Sequence, residues 1–330
     1  LTKNISIDLA GHTLYAKDKT TPAFTATTSV DLTVSSSNDG GKWIAPAQGP
    51  ASNVTVVGIQ PQTLQKWTDE GAYTKFSSIE GKRITITSAQ ELAYVCVVQK
   101  AKPTQLLTYE IVLANDIDLR LLEWEPIPNF GGTFDGQGHT ISGVDIKTAK
   151  GTCGFFESLT GTVQNVRFAD ATITVKPEES LLGDETTAYG GVVTGMLGSG
   201  NILNCVVENC KVTASESATS FGVGGFVGQA TDGALVQNCA ASGNTFSVPE
   251  GLSGKTFIGD PTEKSSIVNC YVDGALEQDV GKLTDVYSRG GSNNTFRRDT
   301  TADSGSDLSA NAVLNGIGWV LNKQKEDGSE

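Results

Sequence analysis

The sequence predicts an all-β repeat fold, a single-stranded parallel β-helix with one or two short capping helices, and three observations carry that expectation. Glycine occurs 38 times and methionine once in 330 residues, so short runs of Val, Ile, Thr and Phe are punctuated by turns. A motif recurs in tandem through the C-terminal half with two landmarks that keep step. Side chains alternate with period 2, as in Ile173-Thr174-Val175, where helical repeats would show a period of 3.6.

From the N-terminus, Ile5-Ser6-Ile7-Asp8-Leu9, Leu32-Thr33-Val34, Val54-Thr55-Val56 and Ile84-Thr85-Ile86 alternate like the strands of early coils. The link from Gly58 to Lys82 reads as an irregular segment exposing Trp67 and Tyr73. Ser88-Ala89-Gln90-Glu91 is a capping box, and Leu92, Val95 and Cys96 follow on one helical face, so a short helix is expected to cover one side of the stack. A second helix is expected from Ser306 to Asn315, where Gly316 stops it and it caps the end.

Internal repetition takes two forms. Asp8-Leu9-Ala10-Gly11-His12-Thr13-Leu14 matches Asp135-Gly136-Gln137-Gly138-His139-Thr140-Ile141, and these segments hold both histidines of the chain. The tandem repeat places Asn165, Asn204, Asn238 and Asn269 at intervals of 39, 34 and 31 residues, each after an apolar strand start. Gly154-Phe155-Phe156, Gly191-Val192-Val193, Gly225-Phe226-Val227 and Thr256-Phe257-Ile258 move with them. Units of this length also suit propeller blades, but those need four strands and two or three are legible here. Stacked coils tolerate polar excursions such as Pro177 to Thr187 and Ser215 to Ser220, which leave at a corner without disturbing register.

In stacked coils identical side chains lie about 4.8 Å apart, so the four Asn are expected to form a hydrogen-bonded ladder at a turn. Cys205, Cys239 and Cys270 are expected to stack beside them as small apolar residues with free thiols. No Cys pair has zinc-site spacing and no His accompanies the column, so no metal and no cofactor are expected.

The stretch from Ile84 to Val175 resembles the GLUG-containing surface proteins of bacteria. It carries the pattern as Asn115-Asp116-Ile117-Asp118-Leu119, then Trp124-Glu125-Pro126-Ile127, then Gly132-Thr133-Phe134-Asp135-Gly136-Gln137-Gly138-His139-Thr140-Ile141. The Gly-rich repeat core is approximated by Gly190-Gly191-Val192-Val193-Thr194-Gly195 and Gly224-Gly225-Phe226-Val227-Gly228. The resemblance covers roughly 84 to 280; residues 1 to 80 look more like generic pectate-lyase-like coils. It implies a right-handed β-helix, secreted or at the cell surface and adhesin-like, and it carries over no catalytic residue. The chain then divides into N-terminal coils and an irregular segment (1–83), a helix and coil region (84–150), GLUG-like tandem coils (151–285) and a C-terminal loop and cap (286–330), in one continuous solenoid.

Charge bounds the partners. A net −13 and a pI near 4.7 repel phosphate backbones and anionic headgroups, so nucleic acid is not expected. No apolar run is long enough to span a bilayer, and no leader pattern opens the chain, so no membrane insertion is expected and the chain reads as monomeric.

No catalytic constellation stands out. Asp116 and Asp118 share a strand face, but calcium needs more oxygen ligands. Asp8 with His12 and Asp135 with His139 have the composition of acid/base couples, yet an active site is built once, whereas a turn-pinning side chain recurs with its turn. Arg289, Arg297 and Arg298 are the local basic group that uronate cleavage would need, and they sit in a polar loop. Trp43, Trp67 and Tyr73 are the candidates for stacking on a sugar face; Trp124 belongs to the family pattern and reads as core. The sequence thus points to a non-catalytic surface module contacting a glycan or a host or surface protein. A polysaccharide lyase or glycoside hydrolase on the same fold, and a pure spacer, stay open as alternatives.

Overall fold

The computed structural model describes residues 1–15, 24–38, 42–44, 50–60, 65–181 and 183–273, together with the backbone of the strands Lys282–Arg289, Phe296–Thr300 and Asp303–Ser304. The region expected to form a second helix, 306–315, and the side chains of Arg289, Arg297 and Arg298 lie outside it. The described residues are almost entirely strand and turn, with one helix, Ala89–Ala101.

The C-terminal half is a set of parallel ladders in which the chain pairs with itself one repeat later. Thr133–Asp135, Thr162–Gln164, Asn201–Leu203, Leu235–Gln237 and the first half of Ser266–Asp273 pair in order. Beside them Thr140–Ser142, Arg167–Ala169, Val206–Glu208, Ala240–Ser242 and the second half of Ser266–Asp273 form the same sequence of pairs. A second ladder joins Asp145–Cys153, Thr172–Lys176, Lys211–Ala214 and Thr245–Ser247. A third joins Phe156–Leu159, Thr194–Leu197, Val227–Ala230 and Ile258–Asp260. Each repeat therefore delivers strands to the same places, and the interval between landmarks becomes the register.

Bends between neighbouring ladders need residues that accept positive φ. Asn165, Asn204, Asn238 and Asn269 occupy the left-handed region at φ of 52°, 55°, 55° and 50°, which asparagine tolerates better than most residues. Their amides bond between repeats: Asn204 Nδ2 donates to Asn165 Oδ1 at 2.7 Å, and Asn269 Nδ2 donates to Asn238 Oδ1 at 2.8 Å. Asn165 Nδ2 donates to Asp135 Oδ1 at 3.0 Å, so the carboxylate of the preceding repeat ends the ladder. A second corner follows at Gly143, Asp170, Asn209 and Gly243, again with positive φ.

The inner faces are apolar columns. Phe155, Val192, Phe226 and Phe257 are fully buried, and Trp124 stacks on Phe155 with centroids 4.8 Å apart and planes 4° from parallel. This core runs continuously from Trp67 to Val272. A separate parallel sheet of Ile5–Asp8, Val30–Ser35 and Val54–Gly58 covers its own core of Leu9, Val30, Leu32, Val34, Trp43 and Val54.

The helix starts as its cap dictates, with Ser88 Oγ accepting from Glu91 N at 3.3 Å. The reciprocal half of the expected capping box is replaced. Buried Glu91 turns its carboxylate to Ser77 N and to Thr87 N and Oγ1, each at 2.7 Å, so these three donors satisfy the buried charge. The largest departure from expectation is Trp67, which is 2% exposed rather than displayed on an irregular segment. Lys66 bridges Glu123 in parallel, so Trp67 points inward, and its indole N–H donates to Leu119 O at 3.0 Å.

If the Asn corner depends on both φ and the side-chain ladder, Asn204→Gly and Asn204→Ala separate the two. Glycine keeps the φ and loses the amide bond, for a loss of about 1 kcal/mol in denaturant unfolding; alanine loses both, for about 2–3 kcal/mol. Equal losses would show that the left-handed conformation costs alanine nothing here.

Candidate functional site

The duplicated Asp-x-x-Gly-His-Thr segment is the same turn built twice. Asp8 Oδ1 accepts Ala10 N at 2.9 Å, and Asp135 Oδ1 accepts Gln137 N at 2.9 Å. Ala10-Gly11 and Gln137-Gly138 both run at positive φ, closed by His12 N donating to Leu9 O and His139 N donating to Gly136 O. Neither His reaches the Asp of its own segment: His139 Nδ1 lies 3.2 Å from Asp116 Oδ1, which also accepts Thr140 N at 2.8 Å. The carboxyl of Asp8 is held below its ordinary range by the backbone N–H groups of Ala10 and Ser37. Asp118 does not join Asp116 in a pair; it takes Arg120 through Nε and Nη2, and that contact holds its carboxyl low.

The cysteines lie inside the corners. Cys205 N donates to Cys239 Sγ and Cys239 N to Cys270 Sγ, both at 3.4 Å, so each thiol receives an N–H at the bend in the backbone. Cys210 does the same for Ala171 at the second corner. All six cysteines are free and buried. Burial pushes the thiols of Cys96 and Cys210 up to about 12 and raises those of Cys153 and Cys239 as well.

Of the three aromatic candidates, Trp43 joins Trp67 in the interior, fully buried edge-on to Phe24 at 5.5 Å. A ring without an exposed face has nowhere to seat a sugar. Tyr73 is half-buried and stacks on Tyr94 of the helix with centroids 5.7 Å apart.

Charged side chains converge beside the C-terminal end of the helix. Lys100 pairs with Glu125, and Thr68 Oγ1 donates to Glu125 Oε2 at 2.5 Å; these contacts outweigh burial and hold the Glu125 carboxyl low. Glu157 is pushed up, first by burial and then by the charge of Glu178, with Lys100 opposing. Among the described residues no group of three or more His, Cys, Asp or Glu has metal-binding geometry.

The longest excursions share one exit. Residues 177–185, 215–219 and 248–253 each leave the end of a second-ladder strand, and the segments flanking them are in register. The first two are tied together: Thr186 N donates to Thr219 Oγ1 at 2.8 Å, and Thr219 N donates to Thr186 Oγ1 at 3.0 Å. Glu178, Glu179, Asp184, Glu185, Glu216 and Glu250 are exposed on these loops, with Leu181 fully exposed and Leu252 at 38%.

Residues 219–247, which run from this exit through the Asn238 corner, match the model of the GLUG motif. The chain carries a GLUG motif. It is also similar to the crystal structure of a Bacteroides ovatus protein provisionally named an immunoglobulin A1 protease, with 17% identity over 76% of this chain and 91% of that one and a TM-score of 0.43. No curated protein matches it. The glycines of the GLUG core have a packing cause. A Cβ on Gly224 would fall 2.2 Å from Val227 O, one on Gly225 2.3 Å from Thr256 O, and one on Gly228 2.5 Å from Gly195 O, so backbone takes the place of side chain there.

Two outcomes follow from this chemistry. A thiol reagent at about pH 8 should label none of the six cysteines in the folded chain and all six after denaturation; fast labelling of any one would contradict its burial. Glu157, raised in the folded chain, favours folding below its unfolded value, and that contribution is lost as pH rises through the folded one. Glu157→Gln should therefore raise the melting temperature at about pH 7 and leave it unchanged at about pH 3; a gap of equal size at both would remove the titration of Glu157 as its cause.

Proposed function

We propose that this chain is a non-catalytic module of a secreted or cell-surface protein, whose stacked repeats form a right-handed parallel β-helix that holds three adjacent loops for contact with a partner protein. The observation that carries this reading is the common exit of the loops. A rigid ladder supports 177–185, 215–219 and 248–253 at one exit, and binding residues concentrate on loops held by such a scaffold. Their carboxylates, surrounding the exposed Leu181 and Leu252, suit a basic protein surface with an apolar recess, and repel nucleic acid and acidic glycans. No helix among the described residues is long and apolar enough to cross a membrane.

Screening the full chain by surface plasmon resonance against purified secreted and matrix proteins tests the reading. A partner bound in a salt-sensitive manner, and lost when 177–185 is replaced by a short Gly-Ser turn, is the expected result. If the screen finds no partner, or if the replaced chain binds as well as the original, the loops are not the contact surface and the spacer reading takes its place.

Hydrolysis of a glycan is the second reading, favoured by one observation. Glu125, held by Lys100 and Thr68, and Glu157, within reach of the Lys100 charge, bring two carboxyls to the C-terminal end of the helix, the residue type such chemistry uses. Reducing-sugar release from neutral polysaccharides, abolished by Glu157→Gln, would support it; absence of release across such a panel would remove it.

A further inference from the structure

The helix Ala89–Ala101 buries Leu92, Val95, Cys96 and Gln99, yet its outer side carries half-buried Tyr94 and Val97 where a solvated helix would carry charge. Tyr73 and Phe76 meet Tyr94 there. Tyr73 lies nearly parallel to it, with planes 19° apart at 5.7 Å, and Phe76 stands edge-on at 4.9 Å. All three residues are half-buried, and Tyr73 and Phe76 also pack against the main core.

The platform is held in place. Glu91 ties Ser77 N to the helix at 2.7 Å, and Thr74 N donates to Gln90 O at 3.2 Å, so the segment bearing Tyr73 and Phe76 is fastened on both sides. Neither tyrosine hydroxyl makes a hydrogen bond within the described residues. Rings fixed in advance lose little freedom when a ligand stacks on them.

We propose that Tyr73, Phe76 and Tyr94 form a binding platform for a neutral glycan. A sugar ring presents a face of C–H groups to the aromatic surface and hydroxyls to the two phenols. A purely apolar partner would bury both phenol groups unpaired, at a cost. The net charge of −13 selects a neutral chain over a uronate polymer. This site lies on a different element from the corner loops, so it goes beyond the partner contact proposed for them.

Affinity gel electrophoresis of the full chain through gels containing xylan, mannan, hydroxyethylcellulose or polygalacturonate tests it. Retardation by at least one neutral polymer and none by polygalacturonate is expected. Tyr94→Ala and Tyr73→Ala should each weaken retardation about tenfold, while the chain with 177–185 replaced retains it. Tyr94→Phe, which keeps the ring and loses the phenol, should weaken it less, and it carries the test should Tyr94→Ala fail to fold by circular dichroism. No retardation by any neutral polymer, or retardation that the tyrosine variants leave unchanged, would overturn the proposal. So would self-association at high concentration that Tyr94→Ala abolishes, since the platform would then belong to a second copy of the chain.

Discussion

A chain that pairs in parallel with itself one repeat later must bend at the same places in every repeat. Everything else in this structure answers to that constraint. Each bend breaks the regular ladder and asks a residue to adopt positive φ, and the N–H and C=O groups released there are buried. Asn165, Asn204, Asn238 and Asn269 meet the first demand through their tolerance of the left-handed region, and between repeats their amides bond to one another. The cysteines beside them meet the second, accepting N–H groups from the preceding repeat at 3.4 Å. Asparagine and cysteine, residues often associated with chemistry, are occupied here with the backbone.

The same constraint decides where variation is allowed. Inside the stack each position faces its counterparts one strand spacing away, so Phe155, Val192, Phe226 and Phe257 stay apolar, and the glycines at 195 and 228 stay bare for want of room. At the exit after the second ladder nothing lies outside the chain, and its length varies freely. Three loops of different length and sequence therefore emerge together without disturbing the register below them. Variation, exposed carboxylates and exposed leucine coincide there.

Much of this was legible in the sequence because a parallel register turns spacing into geometry. From the second repeat on, the Asn intervals and the Gly-Phe landmarks share increments of 34 and 31 residues, and the strands around them align in the ladders. The second corner is harder to read although its signal is present: Asp170, Asn209 and Gly243 each follow an Asn of the first corner by five residues, but as an Asp, an Asn and a Gly they share only their tolerance of positive φ. Trp67 was misplaced because Lys66, Thr68 and Asp69 give it a loop-like setting, whereas alternation around it reads as polar out and Trp in. The partner of His139 was out of reach for a different reason. Asp116 belongs to the previous strand, and no local pattern announces a contact 23 residues away. The network of Lys100, Glu125, Glu157 and Glu178 draws on the helix, a connecting segment and two repeats, and only the folded chain brings it together.

Amide hydrogen exchange read by mass spectrometry tests the central claim most directly, that a register-locked stack carries solvent-exposed loops. The account predicts slow exchange of comparable rate from Thr133 to Asp273 through every ladder strand, with fast exchange confined to 177–185, 215–219 and 248–253. Fast exchange across the strands around the Asn corners, or protection of those loops equal to that of the strands, would contradict it.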